Sequence, residues 1–187
     1  MSENAPEVAS AAAERARAAF EHAATLLTAP SALMSLSMEE ARIVVGYMSP
    51  KLFPADTTFI REGDANDEGF MALLLEGEVV VEAITVSRTE PVTITVLGPG
   101  SLVGEVGLVD KEPRSASCTT STDSLCAILT RDGLARLIAN EPMAGAKLLL
   151  AIAARLAERL RDNARKLRLY AKLAKAMQQE LEFTTRG

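Results

Sequence analysis

The pattern of apolar and polar positions divides the chain into a helical start, a β-rich middle and a helical end. Residues 7–28 are dominated by alanine with a thin stripe of larger apolar residues, which predicts a first helix. The sequence from Ser37 to Glu40 matches a capping box. The residues after it predict a second helix with an apolar face that extends to Met48. Pro50 is expected to end this helix.

Short β-rich segments alternate with glycine, proline and aspartate from about residue 51 to residue 130. Alternation of apolar and polar side chains, as in Val92–Val96, is typical of a strand with one buried face. The predicted strands are 51–53, 57–61, 70–76, 78–86, 91–98, 101–103, 114–121 and 124–130. Glycines such as Gly63 and Gly77 mark turns between them. About eight strands at this spacing predict an α+β fold in which a β-barrel or jelly roll is flanked by helices.

The last third of the chain is predicted to be helical. Residues 131–139 have the apolar spacing of a short helix, and Asn140 and Pro142 fit the N-cap and first turn of a longer one. Only Gly145 interrupts the pattern that follows, so this helix is expected to continue to about residue 181. The expected divisions are an N-terminal helical segment, a β-barrel and a long C-terminal helix, at 1–50, 51–140 and 141–187.

The apolar residues of the long helix follow a spacing close to a heptad repeat. This seam consists of Leu149, Ile152, Leu156, Leu160, Asn163, Leu167, Tyr170, Ala174, Met177 and Leu181. Such spacing is typical of a two-stranded coiled coil, and beyond about residue 156 the seam needs a second surface to cover it. A second copy of the chain is the simplest such surface, so we expect a homodimer through the C-terminal helix. The polar seam residue Asn163 would fix the register of the pair.

Composition argues against several classes of function. With His22 as the single histidine, a histidine-based triad or a multi-histidine metal site is not expected, and no nucleophile elbow or Walker loop is present. We therefore expect a non-enzymatic protein with no catalytic residues and no metal. Cys118 and Cys126 are expected to be reduced, half-buried thiols rather than a disulfide. No signal peptide or membrane-spanning stretch is visible, which favours a cytoplasmic protein without membrane contact.

One segment in the β-rich region combines residues suited to an anionic ligand. Glu105 follows Gly104 and stands nine positions before Arg114. A one-turn helix after Gly104 would direct backbone N–H groups at an anion, and Arg114 would add a forked, charge-assisted contact. A carboxylate beside a phosphate is repulsive unless it accepts a hydroxyl proton from the ligand. Glu105 therefore suits a sugar hydroxyl that lies next to a phosphate.

This segment resembles the phosphate-binding cassette of the cyclic nucleotide-binding domain family, which includes the bacterial catabolite activator proteins. The matching residues are Gly104, Glu105, Gly107, Leu108, Pro113, Arg114, Ser115 and Ala116, while Val103 replaces the usual aromatic residue. The resemblance covers about residues 51–170. It implies that Glu105 binds the ribose 2′-hydroxyl and that Arg114 and Ser115 bind the cyclic phosphate. The backbone from Val103 through Gly104 to Val106 would complete the cradle.

The resemblance also implies a ligand contact from the long helix. Family members place polar residues near the middle of this helix against the nucleotide base. The corresponding positions here are Asn163 for the base and Arg159 for the phosphate side, and the register role of Asn163 is compatible with a base contact. Ser115 does not decide between the bases; we take cyclic AMP as the preferred ligand and cyclic GMP as the second candidate.

Two other interpretations stay open. One is a ligand-independent dimeric scaffold, in which Glu105 and Arg114 form only an ion pair on a degenerate cassette. The other is a nucleic-acid binder, because residues 155–175 carry a net charge of +6 within a chain of net charge −5. A solvated outer helix face explains that charge more simply, and sequence-specific DNA binding is not expected because no helix-turn-helix follows. The favoured function is a stand-alone receptor that transmits cyclic nucleotide binding to an unidentified partner protein through its C-terminal helix.

Overall fold

The computed structural model describes residues 5–65, 69–84, 91–110 and 112–184 of the chain. In chain order the elements are α1 (Ala5–Leu27), α2 (Met38–Val45), β1 (Ser49–Phe53), β2 (Thr58–Ile60), β3 (Phe70–Glu76), β4 (Val79–Ile84), β5 (Pro91–Leu97), β6 (Leu102–Val103), α3 (Glu105–Val109), β7 (Ser117–Thr120), β8 (Ser124–Thr130), α4 (Arg131–Asn140) and α5 (Pro142–Thr184). The order of elements agrees with the sequence analysis. The end of the strand predicted at 78–86 lies outside the described residues.

The strands in the described part of the chain form two antiparallel four-stranded sheets. The first sheet has the order β1-β8-β3-β6 and the second has the order β2-β7-β4-β5. Both sheets contribute to one buried apolar cluster, which includes Phe53 and Ile128 from the first and Ile60 and Val79 from the second. Within the described residues, the predicted barrel or jelly roll is present as two sheets packed around one core, rather than as one continuously hydrogen-bonded barrel.

The first N-terminal helix packs against the first sheet. α1 contacts both α2 and β3. In β3 the side chains from Met71 to Leu75 are all buried, although neighbouring side chains of a strand point to opposite faces. One face of β3 is therefore covered by the apolar cluster between the sheets, and the other is covered by helix.

The second helix begins as predicted but ends earlier. The Ser37 hydroxyl accepts a hydrogen bond from the backbone N–H of Glu40, and the Glu40 carboxylate accepts one from the backbone N–H of Ser37, which confirms the capping box. The helix ends at Val45, so the predicted extension to Met48 is wrong. Pro50 does not end the helix; it lies in β1, an edge strand, where a missing N–H is tolerated.

The junction of the last two helices also differs from the prediction. α4 extends through Asn140, so Asn140 is the last residue of α4 and not the N-cap of α5. Glu141 links the two helices: its backbone N–H donates to the Leu137 carbonyl oxygen at 2.7 Å, and its carbonyl accepts from the N–H of Gly145 at 2.9 Å. Pro142 opens α5 as expected, where its missing N–H leaves no unpaired donor.

The structure divides into two compact units, of which the first ends at Ala151 and the second begins at Ile152. α5 crosses this division and reaches Thr184, so the predicted long helix is present. In the second unit four of the predicted seam residues are between 62% and 70% exposed, namely Leu160, Leu167, Tyr170 and Met177. Among the described residues, no helix is long and apolar enough to cross a membrane.

Candidate functional site

The segment from Val103 to Ala116, called the cassette here, forms a short helix at the edge of the first sheet. β6 pairs with β3, and Gly104 follows it with a φ of 76°. This left-handed backbone turns the chain directly into α3. Glu105 is the first residue of α3 and only 2% exposed, so the sequence places a carboxylate inside the protein at the helix start.

Arg114 is buried in the same cassette, with 6% exposure. Its Nη1 donates to the carbonyl oxygens of Gly104 at 3.1 Å and Phe70 at 3.2 Å, and its Nη2 donates to Phe70 at 3.2 Å. The guanidinium also lies over the Phe70 ring, 4.8 Å from the ring centre. These contacts fix the guanidinium beside the residue that precedes Glu105.

The backbone of Arg114 is held by the turn that follows β2. The N–H of Gly63 donates to the Arg114 carbonyl oxygen at 2.8 Å, and the N–H of Arg114 donates to the Asp64 carbonyl oxygen at 3.2 Å. The prediction of a strand from residue 114 is therefore wrong, because these bonds tie Arg114 to a turn and β7 begins only at Ser117. Ser115 lies in the connecting segment and is exposed.

Gly107 allows the guanidinium of Arg114 to pack against α3. A Cβ atom at this position would lie 2.1 Å from Nη1 and 2.7 Å from Cζ of Arg114. No side chain larger than hydrogen fits there without moving Arg114. Gly107 therefore has a packing role that its place in the cassette motif alone does not reveal.

The structure brings together the predicted site residues of the first unit. Val103, Glu105 and Arg114 are buried, Gly104 and Val106 are half-buried, and Ser115 is exposed. Arg159 and Asn163 lie in the second unit, where both are exposed, and their predicted ligand contacts stay predictions. In the described part of the chain, no group of three or more His, Cys, Asp or Glu residues could hold a metal ion.

Sequence reasoning missed two contact residues of the cassette. Phe70 holds Arg114 through its carbonyl and its ring. Arg131 donates from Nη2 to the Gly107 carbonyl oxygen at 2.7 Å and also to the Asp110 carbonyl oxygen. The position of Arg131, directly after a buried strand and at the start of a helix, could have drawn attention to it. Nothing in the neighbouring sequence indicated its hydrogen-bond partners.

The two cysteines are free thiols and more deeply buried than predicted, at 4% exposure for Cys118 and 1% for Cys126. They belong to different sheets, β7 and β8, and both point into the apolar cluster. Burial raises the pKa of Cys118 to about 12; the positive charge of Arg114 opposes this rise and the carboxylate of Glu105 adds to it. Burial alone raises the pKa of Cys126 to about 11.

Both thiols are expected to resist alkylation in the folded protein. At pH 8 they are protonated and inaccessible, so they should react at least about 100-fold more slowly than in denaturant. Release of a chromophore from a disulfide reagent, followed with and without guanidinium chloride, measures this difference. Reaction of either thiol at the unfolded rate in native buffer would contradict the burial described here.

Comparison with known proteins gives the class of the chain. The sequence model of the cyclic nucleotide-binding domain matches residues 50–141. The cyclic AMP receptor protein of Thermus thermophilus is 32% identical over 127 residues, which cover 68% of this chain and 56% of the relative. A CRP-like cAMP-activated global transcriptional regulator of Mycobacterium tuberculosis is 29% identical over 127 residues, covering 68% of this chain and 52% of the relative.

A solved cyclic nucleotide-binding domain from Methylobacillus flagellatus is 34% identical, with a TM-score of 0.64; the match covers 76% of this chain and 79% of that one. The chain belongs to the cyclic nucleotide-binding domain family, which confirms the resemblance found at the cassette. It spans about half the length of the curated relatives described above.

Proposed function

We propose that this protein is a cyclic nucleotide receptor that binds cyclic AMP in preference to cyclic GMP. The observation that carries the proposal is the burial of Glu105 and Arg114 in one cassette, next to the start of α3. Isolated buried charges are costly and are kept where partners of opposite chemistry meet them. Two of the relatives, the cyclic AMP receptor protein of Thermus thermophilus and the cAMP-activated regulator of Mycobacterium tuberculosis, support the choice of base.

Each proposed contact pairs a ligand group with the matching chemistry. The cyclic phosphate carries a negative charge and accepts hydrogen bonds from the Arg114 guanidinium, from Ser115 and from backbone amides between Gly104 and Val106. The ribose 2′-hydroxyl donates to the carboxylate of Glu105. Val103 ends β6 and sets the position of the backbone that forms this cradle.

The long helix would supply the remaining functions. Asn163 would contact the base and Arg159 the phosphate side of the ligand. The exposed seam residues Leu160 and Leu167 support a homodimer, because pairing with a second copy would remove their apolar surface from water. Ligand binding would shift this helix between two arrangements, which an output partner protein would detect.

A matched pair of variants tests the role of Glu105. In Glu105→Gln the charged acceptor for the ribose hydroxyl is lost, so cyclic AMP affinity should fall by about 10- to 100-fold. The affinity for 2′-deoxy cyclic AMP, which lacks that hydroxyl, should change far less. Titration calorimetry of wild type, Glu105→Gln and Glu112→Gln measures both ligands; Glu112 is an exposed residue of the same cassette and serves as the control.

Two results would overturn the proposal. One is the absence of heat from wild type with either cyclic AMP or cyclic GMP. The other is an equal loss of affinity for both forms of the ligand in Glu105→Gln, which would separate Glu105 from the ribose. Stronger binding of cyclic GMP than of cyclic AMP would overturn the base preference alone.

A ligand-independent dimeric scaffold is the second candidate. It is favoured by one observation, the donation of the Arg114 guanidinium to the Gly104 and Phe70 carbonyls, which is a structural role that needs no ligand. A scaffold would bind its partner protein equally well after substitution of Glu105 or Arg114. A receptor would lose the nucleotide dependence of that interaction.

A further inference from the structure

Arg131 joins the cassette to the helices that follow the sheets. Its Nη2 donates to the carbonyl oxygens of Gly107 and Asp110, which lie at the C-terminal end of α3. Its backbone N–H donates to the Gly69 carbonyl oxygen at 3.1 Å. Arg131 is also the first residue of α4. One residue is therefore part of α4 and bonded to the end of α3.

The two guanidiniums of the cassette region meet at Gly107. Arg114 packs so closely against the Cα of Gly107 that a Cβ would lie 2.1 Å from Nη1. Arg131 holds the carbonyl oxygen of the same residue at 2.7 Å. A displacement of Arg114 toward a bound anion would therefore change the surroundings of the peptide unit that Arg131 holds.

The connection continues from α4 into the start of α5. Glu141 is bonded backward to Leu137 of α4 and forward to Gly145 of α5, so only one residue separates the helices. The two helices also pack closely here, because a Cβ on Gly145 of α5 would lie 2.8 Å from Cγ1 of Ile138 in α4. A rotation of α4 cannot be absorbed by a loose loop at this junction.

We propose that Arg131 is a positioning residue that transmits occupancy of the cassette to α4 and the start of α5. This inference rests on the proposed function and adds the route by which the ligand acts. Two hydrogen bonds from one guanidinium to the end of α3 define the position of that short helix, and a cation at a helix C-terminus is electrostatically favourable. Ligand contacts at the start of α3 and the Arg131 contacts at its end thus act on one rigid turn.

Hydrogen exchange of the full-length protein tests this route. In wild type, saturating cyclic AMP should change the protection of amides in α3 and in α4. In Arg131→Ala the change in α3 should remain, while the change across α4 should fall by at least about fivefold. Arg136→Ala replaces an exposed arginine of α4 and is expected to keep both changes. Arg131→Lys keeps the charge, but its side chain is shorter and lacks the Nη2 atom that donates to both carbonyls, so it should give an intermediate loss.

The outcomes separate this inference from the proposed function. Calorimetry under the same conditions establishes saturation for each variant, so a loss of coupling is not confused with a loss of binding. A full α4 response in nucleotide-saturated Arg131→Ala would overturn the inference, as would a wild type that binds cyclic AMP without any α4 response. A wild type that binds no cyclic nucleotide would instead overturn the proposed function. Where Arg131→Ala does not fold, Arg131→Lys decides by the same criterion.

Discussion

Replacing Arg114 with alanine is expected to lower the affinity for cyclic AMP by at least about 100-fold, which corresponds to about 3 kcal/mol. The side chain is a buried cation of the cassette, and in the proposed function it supplies the charge that matches the cyclic phosphate. Without it, the anion would enter a site that still contains the buried Glu105 carboxylate, and the two negative charges would repel.

The same substitution should also destabilise the protein, because it leaves the carbonyl groups of Phe70 and Gly104 without their guanidinium donor. Arg114→Lys keeps a positive charge but loses the fork, and should bind with intermediate affinity. Arg136→Ala is the control for removal of an arginine from the surface. Calorimetry together with thermal unfolding separates loss of contact from loss of fold. Wild-type affinity in folded Arg114→Ala would exclude Arg114 from the phosphate site.

Gly77→Ala is expected to lower the free energy of unfolding by about 3 kcal/mol or more. Gly77 has a φ of 91° in the turn between β3 and β4, a conformation that L-residues with a side chain adopt only with strain. A Cβ would lie 2.2 Å from Ser124 Oγ, 2.6 Å from the Asp123 carbonyl oxygen and 2.7 Å from the Ser124 Cα. Two of these atoms belong to the backbone, so the clash cannot be relieved by rotating a side chain.

Gly63→Ala is a matched control for the conformational part of this effect. Gly63 has a φ of 78°, close to that of Gly77, but no atom lies within 4 Å of its added Cβ. Its substitution should therefore cost only the backbone strain, about 1 kcal/mol. Urea unfolding of both variants measures the difference. Equal destabilisation by the two substitutions would contradict the close packing of Gly77 against the loop before β8.

The sequence analysis predicted elements best where the signal was local. The capping box at Ser37 involves residues three positions apart and was confirmed. Pro50 was expected to end α2 but lies in the edge strand β1. A strand tolerates a proline only where the missing N–H is not needed for pairing, and the local sequence does not show which side of β1 is paired. Asn140 was assigned to the wrong helix because a cap residue for α5 is equally compatible with the last turn of α4.

In the candidate site, too, the sequence analysis depended on residues that are close together along the chain. Glu105 and Arg114 were found because the cassette motif keeps them nine positions apart in one segment. The contacts of Arg114 with Phe70 and of Arg131 with Gly107 span 44 and 24 positions. Such pairs depend on how strands and helices are arranged in three dimensions, and no periodicity or local spacing along the chain indicates them.

Amide resonances of the uniformly labelled full chain, titrated with cyclic AMP, test the central claim most directly. The proposal predicts saturable shifts at Gly104, Glu105, Val106 and Ser115, with one nucleotide bound per chain. Linear AMP, which lacks the cyclic phosphate, should shift these resonances much less at equal concentration. The absence of cassette shifts with either cyclic AMP or cyclic GMP at about 1 mM, a concentration at which even weak specific ligands bind, would contradict the account, as would shifts confined to residues outside the cassette.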